Sequence, residues 1–249
     1  MDWQAREIGL RVGGHRGDPE SAPENTLRAF DAAAALGVDY IETDVQRTAD
    51  GVLVLLHDDD LDRTTNGSGP VAQASSSDVR ALDAGSWFAP GFSGERIITV
   101  EEFLAWVEAH DGLGAEIDIK ADGIGSELGA RIASSPARAR VSLCSSIPGE
   151  LADAKQAYGD VPCFLILEDR SLDPISTIRA CNADGGDMPV QWLDDVLIGR
   201  MRAVGLGIMG STANEEAALR ELVLRGADFV DSDRPGLALA LRDELIRQQ

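Results

Sequence analysis

Short apolar runs rich in β-branched residues alternate with longer stretches in which apolar residues recur every three or four positions. The short runs predict strands at 10–14, 40–45, 115–119, 141–144, 163–167, 187–190, 207–210 and 228–231. The longer stretches predict helices between them. One opens at Asn25, a good N-cap, runs through Leu27, Phe30 and Ala34, and stops at Gly37. Thr99 and Glu102 have the spacing of a capping box and open a helix through EEFLAWVEAH. Further helices are expected near 125–134, 149–157, 174–181, 193–204, 215–225 and 236–247. Eight strand–helix units in 249 residues predict an α/β protein, a single (β/α)8 TIM barrel domain spanning 1–249. An open doubly wound sheet is the second choice. It is weakened because no glycine-rich phosphate loop follows the first strand.

One segment breaks the alternation. VLVLLH follows the second strand after only a short QRTADG link. Parallel neighbours need a crossover of about a dozen residues, so 52–57 is read as an antiparallel hairpin arm. Residues 58–98 then form an insertion between the second and third barrel strands, rich in Gly, Ser and Asp. Long excursions at the C-terminal rim of a barrel build and cover active sites.

Side chains two apart on a strand share a face. Glu42 and Asp44 therefore point together, as do Glu116, Asp118 and Lys120. Carboxylates gathered at a barrel mouth repel one another unless a cation lies between them. For one carboxylate pair alone, ion pairing in the rim is the plainer explanation. Two of the chain's three histidines, His15 and His57, bracket Glu42 and Asp44, and with Lys120 they tip the balance to chemistry. All-oxygen ligation suits one divalent cation, Mg²⁺ or Ca²⁺, rather than zinc. The histidines suit general acid–base work.

Composition narrows the setting. The chain is 44% hydrophobic, enough for a sizeable core, and its formal charge is −21 with a pI near 4.3. Such a chain repels nucleic acid and anionic membrane surfaces. The N-terminal residues do not read as a leader, and no apolar run reaches membrane-spanning length. Cys144, Cys163 and Cys181 lack metal-ligand spacing and are expected to be buried free thiols in a reducing compartment. The expectation is a cytoplasmic protein whose partner is a small molecule, with no nucleic acid and no membrane insertion.

The motifs Gly14-His15-Arg16-Gly17, Pro23-Glu24-Asn25-Thr26, Glu42-Thr43-Asp44, Asp50-Gly51, His57-Asp58 and Arg63-Thr64-Thr65 together closely resemble the glycerophosphodiester phosphodiesterase family. LDAGSWFAPGFSGERI, followed by Thr99 and Glu101-Glu102, is similar to that family's insertion. Gly226-Ala227-Asp228 and Asp231-Ser232-Asp233-Arg234-Pro235 resemble its closing strand and turn. The resemblance implies a TIM barrel, a divalent cation and cleavage of a glycerophosphodiester to sn-glycerol 3-phosphate and an alcohol. It makes Glu42 and Asp44 metal ligands, His15 and His57 the acid/base pair, and Arg16 and Lys120 the phosphate-holding groups.

Two departures from the family pattern matter. Its Glu-x-Lys stands here as Asp118-Ile119-Lys120, which makes Asp118 the third ligand and Glu116 the fallback. Its Trp-Thr-Val-Asn stands as Ser211-Thr212-Ala213-Asn214, removing an aromatic wall and leaving Ser211 and Asn214 as candidate partners of a polar leaving group. A sugar phosphodiester or a lysophospholipid is thus an alternative substrate, and a non-catalytic phosphate- or metal-binding barrel an alternative of another class. Asp58 is placed to orient His57. Trp87 and Phe88 are candidates either for the pocket wall or for capping a core edge. His110, at a helix end, is read as structural.

Overall fold

The computed structural model describes residues 9–248. The leader expectation for the N-terminus falls mostly on 1–8, outside them. The strands are β1 (Arg11–Gly14), β2 (Tyr40–Arg47), β3 (Leu53–Leu55), β4 (Gly114–Ile119), β5 (Val141–Ser145), β6 (Cys163–Ile166), β7 (Gly185–Met188), β8 (Gly207–Gly210) and β9 (Phe229–Ser232). All but β3 pair in parallel, in the order β1-β9-β8-β7-β6-β5-β4-β2, and β1 also pairs with β2. The sheet therefore closes into an eight-stranded barrel, and the open-sheet alternative is excluded. β3 lies antiparallel on β2, with Val45 opposite Leu55, as the short link requires.

The helices are α1 (Leu27–Leu36), α2 (Ser76–Ala81), α3 (Val100–Ala109), α4 (Gly125–Ser134), α5 (Pro148–Ala157), α6 (Pro174–Ala180), α7 (Asp195–Ala203), α8 (Glu216–Arg225) and α9 (Pro235–Arg247). Apart from α2, they line the outside of the barrel, burying their apolar faces against outward residues such as Ile41, Val45, Ile117 and Leu143. The capping box at Thr99 and Glu102 is present, and Gly37 ends α1 with φ 84°. Inside the barrel, Tyr40, Cys144, Phe164, Met209 and Phe229 form a separate apolar plug. Gly13 is required beside it: a Cβ there would meet the Tyr40 ring at 2.3 Å and Asp231 Oδ1 at 2.5 Å.

Two sequence expectations are corrected. Thr26, not Asn25, caps α1, accepting from Ala29 N–H. Asn25 instead sits at φ 58° and turns its amide to β2. The sixth barrel strand, β7, runs from Gly185 rather than 187, because Gly185 has no side chain and the Phe164 ring occupies the space a Cβ would need. The insertion holds α2, and its Leu61, Val71, Val79 and Ile97 form a small separate apolar core with Val54 and Leu56 of the hairpin arm. The three cysteines are free and buried. Among the described residues, no helix is long and apolar enough to cross a membrane.

Candidate active site

The register of β2 against β4 sets Glu42 beside Glu116 and Asp44 beside Asp118. Two layers of acid result. At the mouth, carboxylate oxygens of Glu42, Asp44 and Asp118 lie within 4.8 Å of one another, all three residues buried. Glu116 is one layer deeper and outside this trio. It faces the charges of Asp231 and Asp187, and Ser142 Oγ lies 3.3 Å from its Oε1.

The trio is poorly balanced by protein groups alone. Lys120 Nζ is 2.5 Å from Asp118 Oδ2 and 3.4 Å from Asp44 Oδ1. Arg16 Nε is 3.1 Å from Asp44 Oδ2. Burial pulls Asp44 up, but Arg16 and then Lys120 more than offset it and hold its carboxyl below the usual range. Burial and the Asp44 charge push Glu42 well above that range. Burial raises Asp118 to about 6, against the pull of Lys120. Without further positive charge the three do not ionise together near neutral pH. Asp118 Oδ1 is buried with no hydrogen-bond partner. An all-carboxylate set with orphaned, repelling oxygens fits a hard divalent cation.

His15 follows β1 directly, and His57 follows β3. The two imidazoles are held in the same way. His15 Nδ1 is 2.6 Å from Asp233 Oδ1, and His57 Nδ1 is 2.7 Å from Asp58 Oδ1. Both carboxylates are held below their usual pKa. For Asp233, burial is outweighed by the His15 hydrogen bond; for Asp58, the bonds from Arg63 come first. Each ring therefore donates Nδ1–H and leaves Nε2 unprotonated or available to lose a proton. His15 Nε2 is 4.0 Å from Glu42 Oε2. Burial lowers the His15 pKa, but Glu42 and then Asp233 raise it to about 9 in the metal-free protein.

The turn after β1 is shaped around these groups. Arg16 has φ 59°, a strained value for arginine. Its N–H donates to Glu42 Oε2 at 2.9 Å and its Nη1 to Glu24 Oε1 at 2.9 Å. Asn25 donates to Asp44 Oδ2 at 2.9 Å and accepts from Thr43 Oγ1 at 2.6 Å. Asn25 thus fixes the carboxylate that Arg16 and Lys120 share.

The other candidates separate. Asn214 donates to Asp233 Oδ2 at 2.6 Å, and its Oδ1 accepts from Asp233 N–H at 2.8 Å. It holds the carboxylate that holds His15, so its amide is already engaged. Ser211 Oγ donates inward to Asp231 Oδ2 at 3.0 Å. Trp87 packs edge-on against Phe88, which packs against Phe92 under Arg28, and its indole N–H donates to Ala84 O. In the insertion, Asp59 accepts from Gln46 Nε2 and Asp62 from Gly69 N–H. His110 is the C-cap of α3.

Three partners escaped the sequence reading: Asp233, Glu24 and Arg63. All three lay in motifs quoted for the resemblance, but spacing gave no role to them. Arg63 contacts Glu24 and Asp58 together, at 2.6–2.9 Å.

Residues 15–237 match the model of the glycerophosphoryl diester phosphodiesterase family. The YhdW protein of Bacillus subtilis (strain 168) is 33% identical over 229 residues, covering 89% of this chain and 93% of that one. Among solved structures, the glycerophosphodiester phosphodiesterase of Agrobacterium tumefaciens str. C58 superposes with a TM-score of 0.83 at 30% identity, covering 93% of this chain and 99% of that one. A phosphodiesterase of Oleispira antarctica, solved with the product sn-glycerol-3-phosphate, gives 0.87 at 26% identity, covering 95% and 98%. With its closed barrel and its match over most of the length, the chain belongs to the glycerophosphoryl diester phosphodiesterase family of phosphoric diester hydrolases.

Proposed function

We propose that this protein hydrolyses a glycerophosphodiester to sn-glycerol 3-phosphate and an alcohol, in a single catalytic domain. The observation that carries the reading is the pair of carboxylate-held histidines beside the buried trio of Glu42, Asp44 and Asp118. The trio would hold one divalent cation, Mg²⁺ or Ca²⁺. Bound there, it would supply Lewis-acid polarisation of a phosphoryl oxygen and offset charge that develops in the transition state. Arg16 keeps guanidinium N–H groups for a second phosphoryl oxygen, and Lys120 adds a point charge. Nε2 of one histidine accepts the proton of the attacking hydroxyl, while Nε2 of the other protonates the departing alkoxide. Asp233 and Asp58 stabilise whichever imidazolium forms. The attacker is water or the adjacent substrate hydroxyl. Three buried, unpaired thiols support a reducing, cytoplasmic setting.

A second reading keeps the chemistry and changes the leaving group. It is favoured by Ser211, a small residue where the family motif carries Trp. The test is a screen of glycerophosphodiesters, sugar phosphodiesters and lysophospholipids, with EDTA and with added Mg²⁺ or Ca²⁺. Cation-dependent release of sn-glycerol 3-phosphate is expected. A cyclic phosphate in quenched samples would assign the attack to the substrate hydroxyl. Cation-dependent binding of phosphodiesters without turnover of any would replace the proposal with a non-catalytic barrel.

A further inference from the structure

Arg63 lies in the insertion, six residues after His57, and its guanidinium is gripped on two edges. Nε and Nη2 meet Asp58 Oδ2 and Oδ1 at 2.6 and 2.9 Å. Nη1 and Nη2 meet Glu24 Oε2 and Oε1 at 2.7 and 2.8 Å. Each carboxylate then reaches onward to a site residue. Asp58 Oδ1 receives His57 Nδ1, and Glu24 Oε1 receives Arg16 Nη1. The chain of contacts runs Arg16–Glu24–Arg63–Asp58–His57 without a gap. Arg16 comes from the turn after β1, His57 from the end of β3, and they share no bond of their own.

We propose that Arg63 is a positioning residue that sets the phosphate-gripping Arg16 and the acid/base His57 at a fixed separation. The inference rests on the proposed function and assigns a role that neither charge nor burial of the site residues reveals. A guanidinium alone offers two adjacent planar forks, so one side chain orients two carboxylates at once. Both carboxylates respond to it. The bonds from Arg63 have the largest part in lowering Asp58. Burial raises Glu24, but its bond to Arg63 leads the contributions that bring it below its usual range. An ionised Asp58 fixes Nδ1–H on His57, and an ionised Glu24 fixes the edge of Arg16. Without Arg63 the two acids face each other uncompensated and separate, taking Arg16 and His57 with them. The contact also ties the insertion to the barrel mouth, since Glu24 lies before α1 and Arg63 beyond β3.

The test compares wild type, Arg63→Ala and Arg63→Lys with sn-glycero-3-phosphocholine and saturating Mg²⁺. Arg63→Ala should lower kcat/KM about 10- to 100-fold, with kcat falling through His57 and KM rising through Arg16. Arg63→Lys should recover little, because one ammonium does not span both carboxylates. In an Asp58→Asn background, Arg63→Ala should lose most of its effect on kcat; in a Glu24→Gln background, most of its effect on KM. Should Arg63→Ala not fold, Arg63→Lys carries the comparison. Kinetic constants within about twofold of wild type in a folded variant, or losses that simply add in both backgrounds, overturn the role. Nitrogen-15 spectra of the His57 ring give a readout free of turnover: the Nδ1–H tautomer should lose population in Arg63→Lys. If the wild type cleaves no diester, the proposed function fails, and this spectrum alone decides for Arg63. An unchanged tautomer then overturns it.

Discussion

Asp233 Oδ1 sits 2.6 Å from His15 Nδ1, although 218 positions separate them in the chain. The pairing of β1 with β9 brings them together, Gly14 lying opposite Ser232. His15 and Asp233 are the next residues beyond those strand ends. Asn214, past β8, then fixes Asp233 with a bond in each direction. Three strands of the barrel thus converge on the orientation of one imidazole.

Replacing Asp233 should therefore impair chemistry more than binding. Asp233→Asn keeps the shape but removes the charge that favours the Nδ1–H tautomer and the imidazolium. We expect kcat to fall roughly 10²-fold or more, the scale of a lost general acid or base. Cation affinity should change little, since Asp233 lies outside the carboxylate trio. Steady-state kinetics and calorimetric titration with Mg²⁺ check both halves. A large loss of cation affinity with kcat intact would show that Asp233 serves the metal trio and not His15.

Cation binding should stabilise the fold as well as enable turnover. Glu42, Asp44 and Asp118 are buried side by side, and partial protonation relieves their repulsion in the free protein. A ligand that binds only the folded state adds RT ln(1 + [L]/Kd), about 2.7 kcal/mol at a hundredfold excess over Kd. EDTA should lower Tm and abolish activity, and Mg²⁺ or Ca²⁺ should restore both. Asp118→Asn should raise the cation concentration needed for each by the same factor. A Tm indifferent to EDTA and to added cation would remove the metal role from these residues.

The barrel, the hairpin arm and the two acidic pairs were legible in the sequence because each follows from local periodicity. Glu42 and Asp44 must share a face, and a six-residue link must return antiparallel. What stayed hidden depends on closure. Asp233 and Glu24 acquire meaning only when distant strand ends meet. Residue type makes Asn25 a good cap, yet its amide is taken by Thr43 and Asp44, and the cap falls to Thr26. The start of β7 is invisible in the sequence because Gly185 and Gly186 carry no apolar signal. Their strand character comes from the Phe164 and Ile178 side chains that fill the missing volume.

The protonation of His15 should be visible in the stability of the metal-free protein. Its folded pKa, about 9, lies above the 6.5 of an unperturbed imidazole, so charged His15 stabilises the fold. That contribution is complete below about 6.5, declines as pH rises, and is gone above about 9. In EDTA, the Tm difference between wild type and His15→Gln should be largest near pH 6 and vanish at the alkaline end. Saturating Mg²⁺ should flatten this dependence, because a cation held by the carboxylate trio would set positive charge beside His15 and disfavour its imidazolium. A difference that grows with pH would reverse the assignment.

Ser211 provides the last test, which concerns specificity. Its position suggested a hydrogen bond to a sugar-like leaving group, but the hydroxyl points inward to Asp231 at 3.0 Å. Asp231 is buried among Tyr40, Glu116 and Asp187, and burial raises its pKa above the usual carboxylate range. Removing a donor from such a group costs about 1–3 kcal/mol. Ser211→Ala should therefore lower Tm while leaving the ratio of kcat/KM between a choline and a sugar diester within about twofold of wild type. A residue that binds the leaving group would behave in the opposite way, shifting that ratio by 10-fold or more. If the ratio moves and Tm does not, the Ser211 hydroxyl turns outward in the working enzyme, and the smaller side chain is a specificity device. If Tm alone moves, the missing aromatic wall enlarges the leaving-group end without supplying it a polar partner. Discrimination among leaving groups should then be weak, and size, not hydrogen bonding, should set its limit.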